Sequence, residues 1–305
     1  MQNRLKGVWA AALTPQKADL SADTAAMVAH HKWLLANGCD GVALGGTTGE
    51  ANSFSVSERR ELIDAVQAAG IAGDQMMVGV GCCAIPDTVE LTKASLAAGY
   101  GNVLMLPPFY YKGVSDDGLF AAYAEVISRV GDERLRIYVY DFPKMTGLEI
   151  STELLVRLND AFPNTIVGVK DSSGRVEDML AVCEAIPGFG TFAGTEQFLL
   201  PVLQAGGAGC ISATANVTCA VSAAVYQAYL ADNGDGEAAQ ERATAVRLML
   251  QAYGAIPSMK EAMAVHTGNP AWRHMRPPMV PMATDAAAKL AGDMAALGFT
   301  LPLAA

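Results

Sequence analysis

Eight short β-rich runs, each separated from the next by enough residues for a helix, constrain this chain more than any other feature. They fall at residues 7–13, 41–44, 76–80, 102–106, 136–140, 165–169, 190–193 and 209–212. Most lack a clean alternation of apolar and polar residues, as expected for strands of a parallel sheet covered by helices on both sides. The intervening segments carry helical periodicity. Residues 56–69 place Val56, Leu62, Ile63 and Val66 on one stripe, and Ser55 with Glu58 fits a capping box at its start. Residues 89–98 and 151–158 read the same way. Strands alternating with helices have two main solutions, an open doubly wound sheet or a closed barrel. A count of eight favours the barrel. The first run also leads into Ala11-Ala12-Leu13-Thr14-Pro15, without the glycines of a dinucleotide-binding turn. After about residue 235 the strands stop, and residues 238–253, 258–266 and 283–297 read as helices. The expected organisation is an α/β chain: a (β/α)8 barrel over residues 1–234 and a C-terminal helical extension over 235–305, packed on the barrel.

Composition narrows the function. With 51% hydrophobic and 17% charged residues, the 305-residue chain has ample material for a large core. A formal charge of -10 and the absence of any Lys/Arg cluster argue against a nucleic-acid partner and against an anionic membrane surface. The six cysteines show no metal-finger spacing and read as reduced thiols of a cytoplasmic protein. Residues 1–7 are polar and basic, so no secretory leader is expected. The uncharged stretch between Glu196 and Asp232 is interrupted by Pro201, Gly206, Gly207, Gly209 and Asn216. It reads as buried helix, strand and helix, not as a membrane span.

In such a barrel, chemistry collects where strands end and βα loops begin. No histidine falls at a strand end. His30 and His31 lie in the first helix, and His266 and His274 lie in the extension. Paired metal ligands are absent too, so no metal and no cofactor are expected. What remains is one lysine, several tyrosines and a threonine pair. Lys170 follows the apolar run Thr165-Ile166-Val167-Gly168-Val169 and should point into the barrel mouth. An ordinary lysine, with a pKa of about 10.4, is neutral in roughly one molecule per few thousand at pH 7. Apolar surroundings favour the neutral amine, which can add to a ketone and form an imine. The alternative is a lysine salt-bridged to Asp171 or to a rim carboxylate. Tyr140 ends the preceding strand and could shuttle protons beside Lys170, or be a packed aromatic. Thr47-Thr48-Gly49 could hold a carboxylate through hydroxyls and free backbone N–H groups, or be a turn with only local bonds.

Taken in order, Gly46-Thr47-Thr48-Gly49-Glu50, Tyr140-Asp141-Phe142-Pro143, Gly168-Val169-Lys170-Asp171-Ser172-Ser173 and Gly209-Cys210-Ile211-Ser212 resemble the dihydrodipicolinate synthase / N-acetylneuraminate lyase family. The resemblance extends over essentially the whole chain, including Arg276-Pro277-Pro278. It implies a TIM (β/α)8 barrel, Schiff-base chemistry on pyruvate or a related 2-oxo acid, and a homo-oligomer, a tetramer or dimer. It assigns imine formation to Lys170, proton relay to Tyr140 and support of the relay to Thr47. Thr48 is implied in binding the pyruvate carboxylate, and Gly194 and Ile211 in lining its pocket. Tyr110, with Tyr111 as the competing choice, matches the tyrosine sent into a neighbouring subunit's site.

The chain departs from the lysine-biosynthesis members of that family. They carry an arginine two residues after the proline of the Tyr-x-x-Pro motif, where Met145 stands here, and Asp141 replaces their asparagine. A thioether cannot make a guanidinium's bidentate contact with a carboxylate. The leading expectation is therefore a lyase, aldolase or dehydratase acting on a 2-oxo acid such as a 2-keto-3-deoxy sugar acid, with an aldehyde partner. 4-Hydroxy-tetrahydrodipicolinate synthase, joining pyruvate and aspartate semialdehyde, is the second reading. A non-catalytic sensor of 2-oxo acids is the third.

Overall fold

The structure is a computed structural model that describes residues 4–232 and 234–302. The first three residues of the polar opening segment therefore lie outside the described residues. Eight parallel strands close into a barrel: β1 (Gly7–Ala11), β2 (Gly41–Leu44), β3 (Met76–Gly79), β4 (Asn102–Met105), β5 (Arg136–Asp141), β6 (Ile166–Asp171), β7 (Gly190–Ala193) and β8 (Gly209–Ser212). The ladder runs in chain order, and β8 returns to β1 through Gly7↔Gly209 to Ala10↔Ser212. Helices between the strands are α1 (Thr24–Ala36), α2 (Val56–Ala68), α3 (Ile85–Ala97), α4 (Asp116–Val130), α5 (Pro143–Thr146), α6 (Thr152–Ala161), α7 (Val176–Ala185) and α8 (Leu199–Gln204). The chain then continues through α9 (Ala215–Ala231), α10 (Gly236–Gln251), α11 (Ala255–Thr267) and α12 (Thr284–Ala296).

All eight runs expected from the sequence are strands. Two of them extend further than their composition suggests. β5 and β6 continue to Asp141 and Asp171, because their ladder persists through Tyr140↔Lys170 and Asp141↔Asp171. Lys170 is thus a strand residue, not the first residue after one. On α2 the capping box forms as expected, with Ser55 and Glu58 bonded reciprocally. Its buried stripe differs: Arg59 joins Leu62, Ile63 and Val66, while Val56 is only half-buried.

Side chains alternate between two cores. Trp9, Met77, Leu104, Tyr138, Tyr140, Phe192 and Ile211 fill the barrel interior. Their strand neighbours, such as Val8, Val78, Val139 and Val169, pack outward against the helices. Glycines on adjacent strands make room for the two largest interior rings. A Cβ on Gly41 would sit 2.3 Å from the Trp9 ring, and one on Gly168 would sit 2.4 Å from the Tyr138 ring. A third apolar cluster joins Leu13 and Val217 to Val246, Leu250, Met259, Met263 and Trp272 of the C-terminal helices. Asn216 fastens the closing seam: its amide oxygen accepts from the Leu13 N–H at 2.9 Å, and its NH2 donates to the Ala11 carbonyl at 2.7 Å. Among the described residues, no helix is long and apolar enough to cross a membrane.

Candidate active site

Alternation along β5 and β6 decides which side chains enter the barrel. With Tyr138 and Tyr140 inward on β5, the register turns Lys170 inward on β6 beside Tyr140. Lys170 is 4% exposed and Tyr140 is 3% exposed. The Lys170 Nζ lies 4.3 Å from the centroid of the Tyr140 ring, so the amine faces the π-cloud of that ring. Among the described residues, no carboxylate stands within ion-pair distance of Lys170. Asp171, a neighbour in sequence, projects to the opposite face of the sheet, where its carboxylate accepts from the Ser173 N–H at 2.7 Å. The sequence alternative of a salt bridge with Asp171 is therefore absent from the geometry.

The other expected site residues fall in different places. Thr47 and Tyr140 line one small cavity at the C-terminal end of the barrel, with Gly45, Gly79 and Leu106 around it. Thr48 is buried in the β2–α2 turn, and Ile211 is fully buried in the barrel interior. Gly194 presses against the end of β6: its N–H donates to the Asp171 carbonyl at 2.6 Å, and a Cβ there would lie 2.1 Å from the Ser172 hydroxyl. A residue larger than glycine would push β7 away from the strand that carries Lys170. Tyr110 does not join these residues. Tyr110 and Tyr111 are each 73% exposed and meet edge to face, with ring centroids 5.4 Å apart, outside this chain's own cavity.

Met145 sits on α5 and is 59% exposed, with Lys144 exposed beside it. Lys112, which no motif marks, ties the β4–α4 loop to the end of α5 by donating to the carbonyls of Phe109 and Thr146. Arg59 stands outside the expected site residues, and a charged residue on the apolar stripe of α2 is the signal that marks it. It lines the same cavity as Thr47 and Tyr140, and its guanidinium donates to the Gly79 carbonyl at 2.9 Å and to the Cys82 sulfur at 3.1 Å. Behind the site, on the outer face of β5 and β6, Asp141 and Asp171 lie side by side. Burial, with the neighbouring Asp171 carboxylate, raises the Asp141 carboxyl to about 7.

The histidines stand apart from this constellation. His30 and His31 are buried in α1, and burial lowers them to about 4 and about 3, so both are neutral at pH 7. Among the described residues, no group of three His, Cys, Asp or Glu side chains is placed to hold a metal ion. Chemically, the arrangement offers a buried amine against a phenol ring, beside a glycine-rich turn bearing two threonines. That set can add an amine to a carbonyl while holding an anionic end of the same molecule.

Comparison with known proteins agrees with this geometry. Residues 4–297 match the model of the dihydrodipicolinate synthetase family. An uncharacterized DapA-like lyase of Chloroflexus aurantiacus is 29% identical over 287 residues, covering 93% of this chain and 94% of that protein. The crystal structure of dihydrodipicolinate synthase from Agrobacterium tumefaciens is 36% identical, with a TM-score of 0.86 over 95% of this chain and 99% of that one. YagE, a prophage protein of the dihydrodipicolinic acid synthase family from E. coli K12, was crystallised in complex with pyruvate. It is 25% identical, with a TM-score of 0.87 over 97% of this chain and 99% of its own.

Proposed function

This chain belongs to the dihydrodipicolinate synthetase family, whose members are lyases of the Schiff-base aldolase type, and we propose that its own reaction runs through Lys170. The observation that carries this reading is a buried lysine with no carboxylate partner among the described residues, held against Tyr140 inside the C-terminal mouth of the barrel. The neutral Nζ attacks the C2 carbonyl of a 2-oxo acid and forms a carbinolamine. Tyr140 passes a proton to the departing hydroxyl, water leaves, and the imine remains. The imine then takes up the electron pair of the C3–C4 bond as an enamine, while the Tyr140 phenolate takes the proton of the C4 hydroxyl and an aldehyde departs. Protonation of the enamine and hydrolysis of the imine return the free amine. Thr47 supports the relay, and Thr48 holds the carboxylate with the N–H groups of its turn. Gly194 and Ile211 shape the pocket.

The substrate class we favour is a 2-keto-3-deoxy sugar acid or a similar 2-oxo acid, with no cofactor. 4-Hydroxy-tetrahydrodipicolinate synthesis is the second reading. The 36% identical Agrobacterium tumefaciens dihydrodipicolinate synthase favours it, and the exposed Met145 thioether opposes it. A sensor without catalysis has no use for an amine held free of a counter-ion. We place the protein in the cytoplasm, since all six of its cysteines are free thiols. We also propose a homo-oligomer, tetramer or dimer, in which the outward Tyr110 reaches a neighbouring subunit's site. Borohydride reduction in the presence of pyruvate tests the central claim. Peptide mass mapping should find a reduced pyruvyl group on Lys170. Labelling of another lysine, or none with any of a panel of 2-oxo acids, would remove Lys170 from the mechanism.

A further inference from the structure

We infer that Glu50 of the barrel and Lys260 of the C-terminal helices are positioning residues for the carboxylate end of the substrate site, because their ion pair locks the turn that carries Thr47 and Thr48. The inference rests on the reading of that turn given above. The turn, Gly45-Gly46-Thr47-Thr48-Gly49-Glu50, contains three glycines in six residues. Such a backbone has many competing conformations, and it binds an anion well only if something outside it selects one. Glu50 closes the turn: its N–H donates to the Thr47 carbonyl at 3.1 Å, and its backbone adopts the left-handed conformation with φ of 59°.

The Glu50 side chain is buried and leaves the barrel for the extension. Its carboxylate pairs with Lys260 of α11, which is 0% exposed. The same carboxylate accepts from the Gln16 amide at 2.7 Å and from the Arg276 N–H at 3.4 Å. Lys260 also donates to the His274 carbonyl at 2.8 Å. One carboxylate therefore joins the β1–α1 loop, the threonine turn, α11 and the segment that follows it. Arg276 grips the far side of the turn by donating to the Ser53 carbonyl at 2.6 Å and to the Glu58 carboxylate, while its guanidinium lies 4.0 Å from the Phe54 ring centroid. Stability alone is a weak reason for such a pair, since well-packed apolar residues often replace a buried ion pair at no cost. Its place three residues from Thr47 supplies the better reason.

The experiment compares the full-length parent with Lys260→Met and with the double variant Glu50→Gln/Lys260→Met. Each is titrated with pyruvate under borohydride, and hydrogen exchange is followed over residues 46–53. Lys260→Met leaves a carboxylate buried without its cation and should lose thermal stability; the double variant, with neither charge, should recover it. In both variants the pyruvate concentration for half-maximal labelling should rise at least tenfold, with Lys170 still labelled at saturation, and residues 46–53 should exchange at least tenfold faster. If the double variant labels at the parental concentration with parental exchange, the pair is only structural and the inference is wrong. If Lys260→Met does not fold, the double variant decides. A parent that never labels at Lys170 would overturn the proposed reaction instead, and exchange in the double variant would still decide whether the pair locks the turn.

Discussion

Two lysines are buried among the described residues, and they differ in what surrounds the amine. Lys260 sits between the extension and the barrel, with Glu50 as counter-ion and the His274 carbonyl as second acceptor. Lys170 sits in the barrel mouth, against the Tyr140 ring and, among the described residues, with no carboxylate in reach. Burial lowers the Lys260 proton affinity below the ordinary lysine value, and Glu50 opposes that shift. A counter-ion holds an amine in its charged form, whereas only a neutral amine attacks a carbonyl. Burial alone therefore does not mark a reactive lysine; burial without a partner does. Under the proposed reaction and the inference above, one lysine holds loops together and the other forms a bond.

The sharpest way to break this contrast is to remove the unpartnered amine. Lys170→Ala should lose all borohydride-trapped pyruvate, with Lys260 unlabelled in parent and variant alike. A pyruvyl group on Lys260 in either would show that the ion pair does not protect an amine from the reaction. Removing the phenol beside Lys170 should have the next largest effect. General acid–base assistance is worth about 10²–10⁴-fold, so Tyr140→Phe should slow single-turnover imine formation by about that factor in a folded protein. A parental rate would make Tyr140 a packing residue only.

The mouth of the barrel is where the smaller kinetic effect belongs. Restoring a guanidinium with Met145→Arg should raise kcat/KM for condensation of pyruvate with aspartate semialdehyde by roughly tenfold to a hundredfold. That range corresponds to a charged hydrogen bond of about 1.5–3 kcal/mol. Parental Met145 enzyme that already handles the semialdehyde as well as any other aldehyde would establish the second reading.

The smallest effect concerns the carboxylate pair behind the site. The native state raises Asp141 from its ordinary 3.8 to about 7, so it retains a proton that the unfolded chain releases. Stability contributed by this group is full below about pH 4 and falls as pH rises to about 7. Asp141→Asn should remove that slope and gain stability relative to the parent at pH 8 but not at pH 4. Because the buried aspartate can relax toward water once it ionises, the gain should be on the order of 1 kcal/mol, about the worth of one pH unit. Denaturant midpoints of both proteins at the two pH values measure it, and His30 and His31 cancel in the difference. Equal midpoints at pH 8 would mean that the pair ionises without cost.

Much of the architecture is legible because it is written in local pattern. Strand count, the capping box of α2 and the Leu62, Ile63 and Val66 part of its stripe depend on residues a few positions apart, and all appear in the structure. The order of motifs also places Tyr140 and Lys170 at the ends of successive apolar runs, which become neighbouring strands in the barrel. Strand ends are less legible, since β5 and β6 continue through polar Asp141 and Asp171 only because each completes the other's ladder. The burial of Arg59 is illegible in a stripe of apolar residues, because it depends on the Gly79 carbonyl and Cys82 sulfur that its guanidinium meets only in the folded barrel.

What the sequence determined by itself is the alternation of strands and helices, the residue types at each strand end, and an amine directly after the sixth apolar run with a phenol ending the fifth. Only the tertiary structure decided which amine has a counter-ion. Glu50 and Lys260 are 210 positions apart, and no periodic pattern spans that distance. Asp171, adjacent to Lys170 in sequence, is turned to the other face by the two-residue period of the strand. Proximity along the chain and proximity of charge are set by different physics: the first by covalent spacing, the second by closure of the barrel and the docking of the helices that follow it.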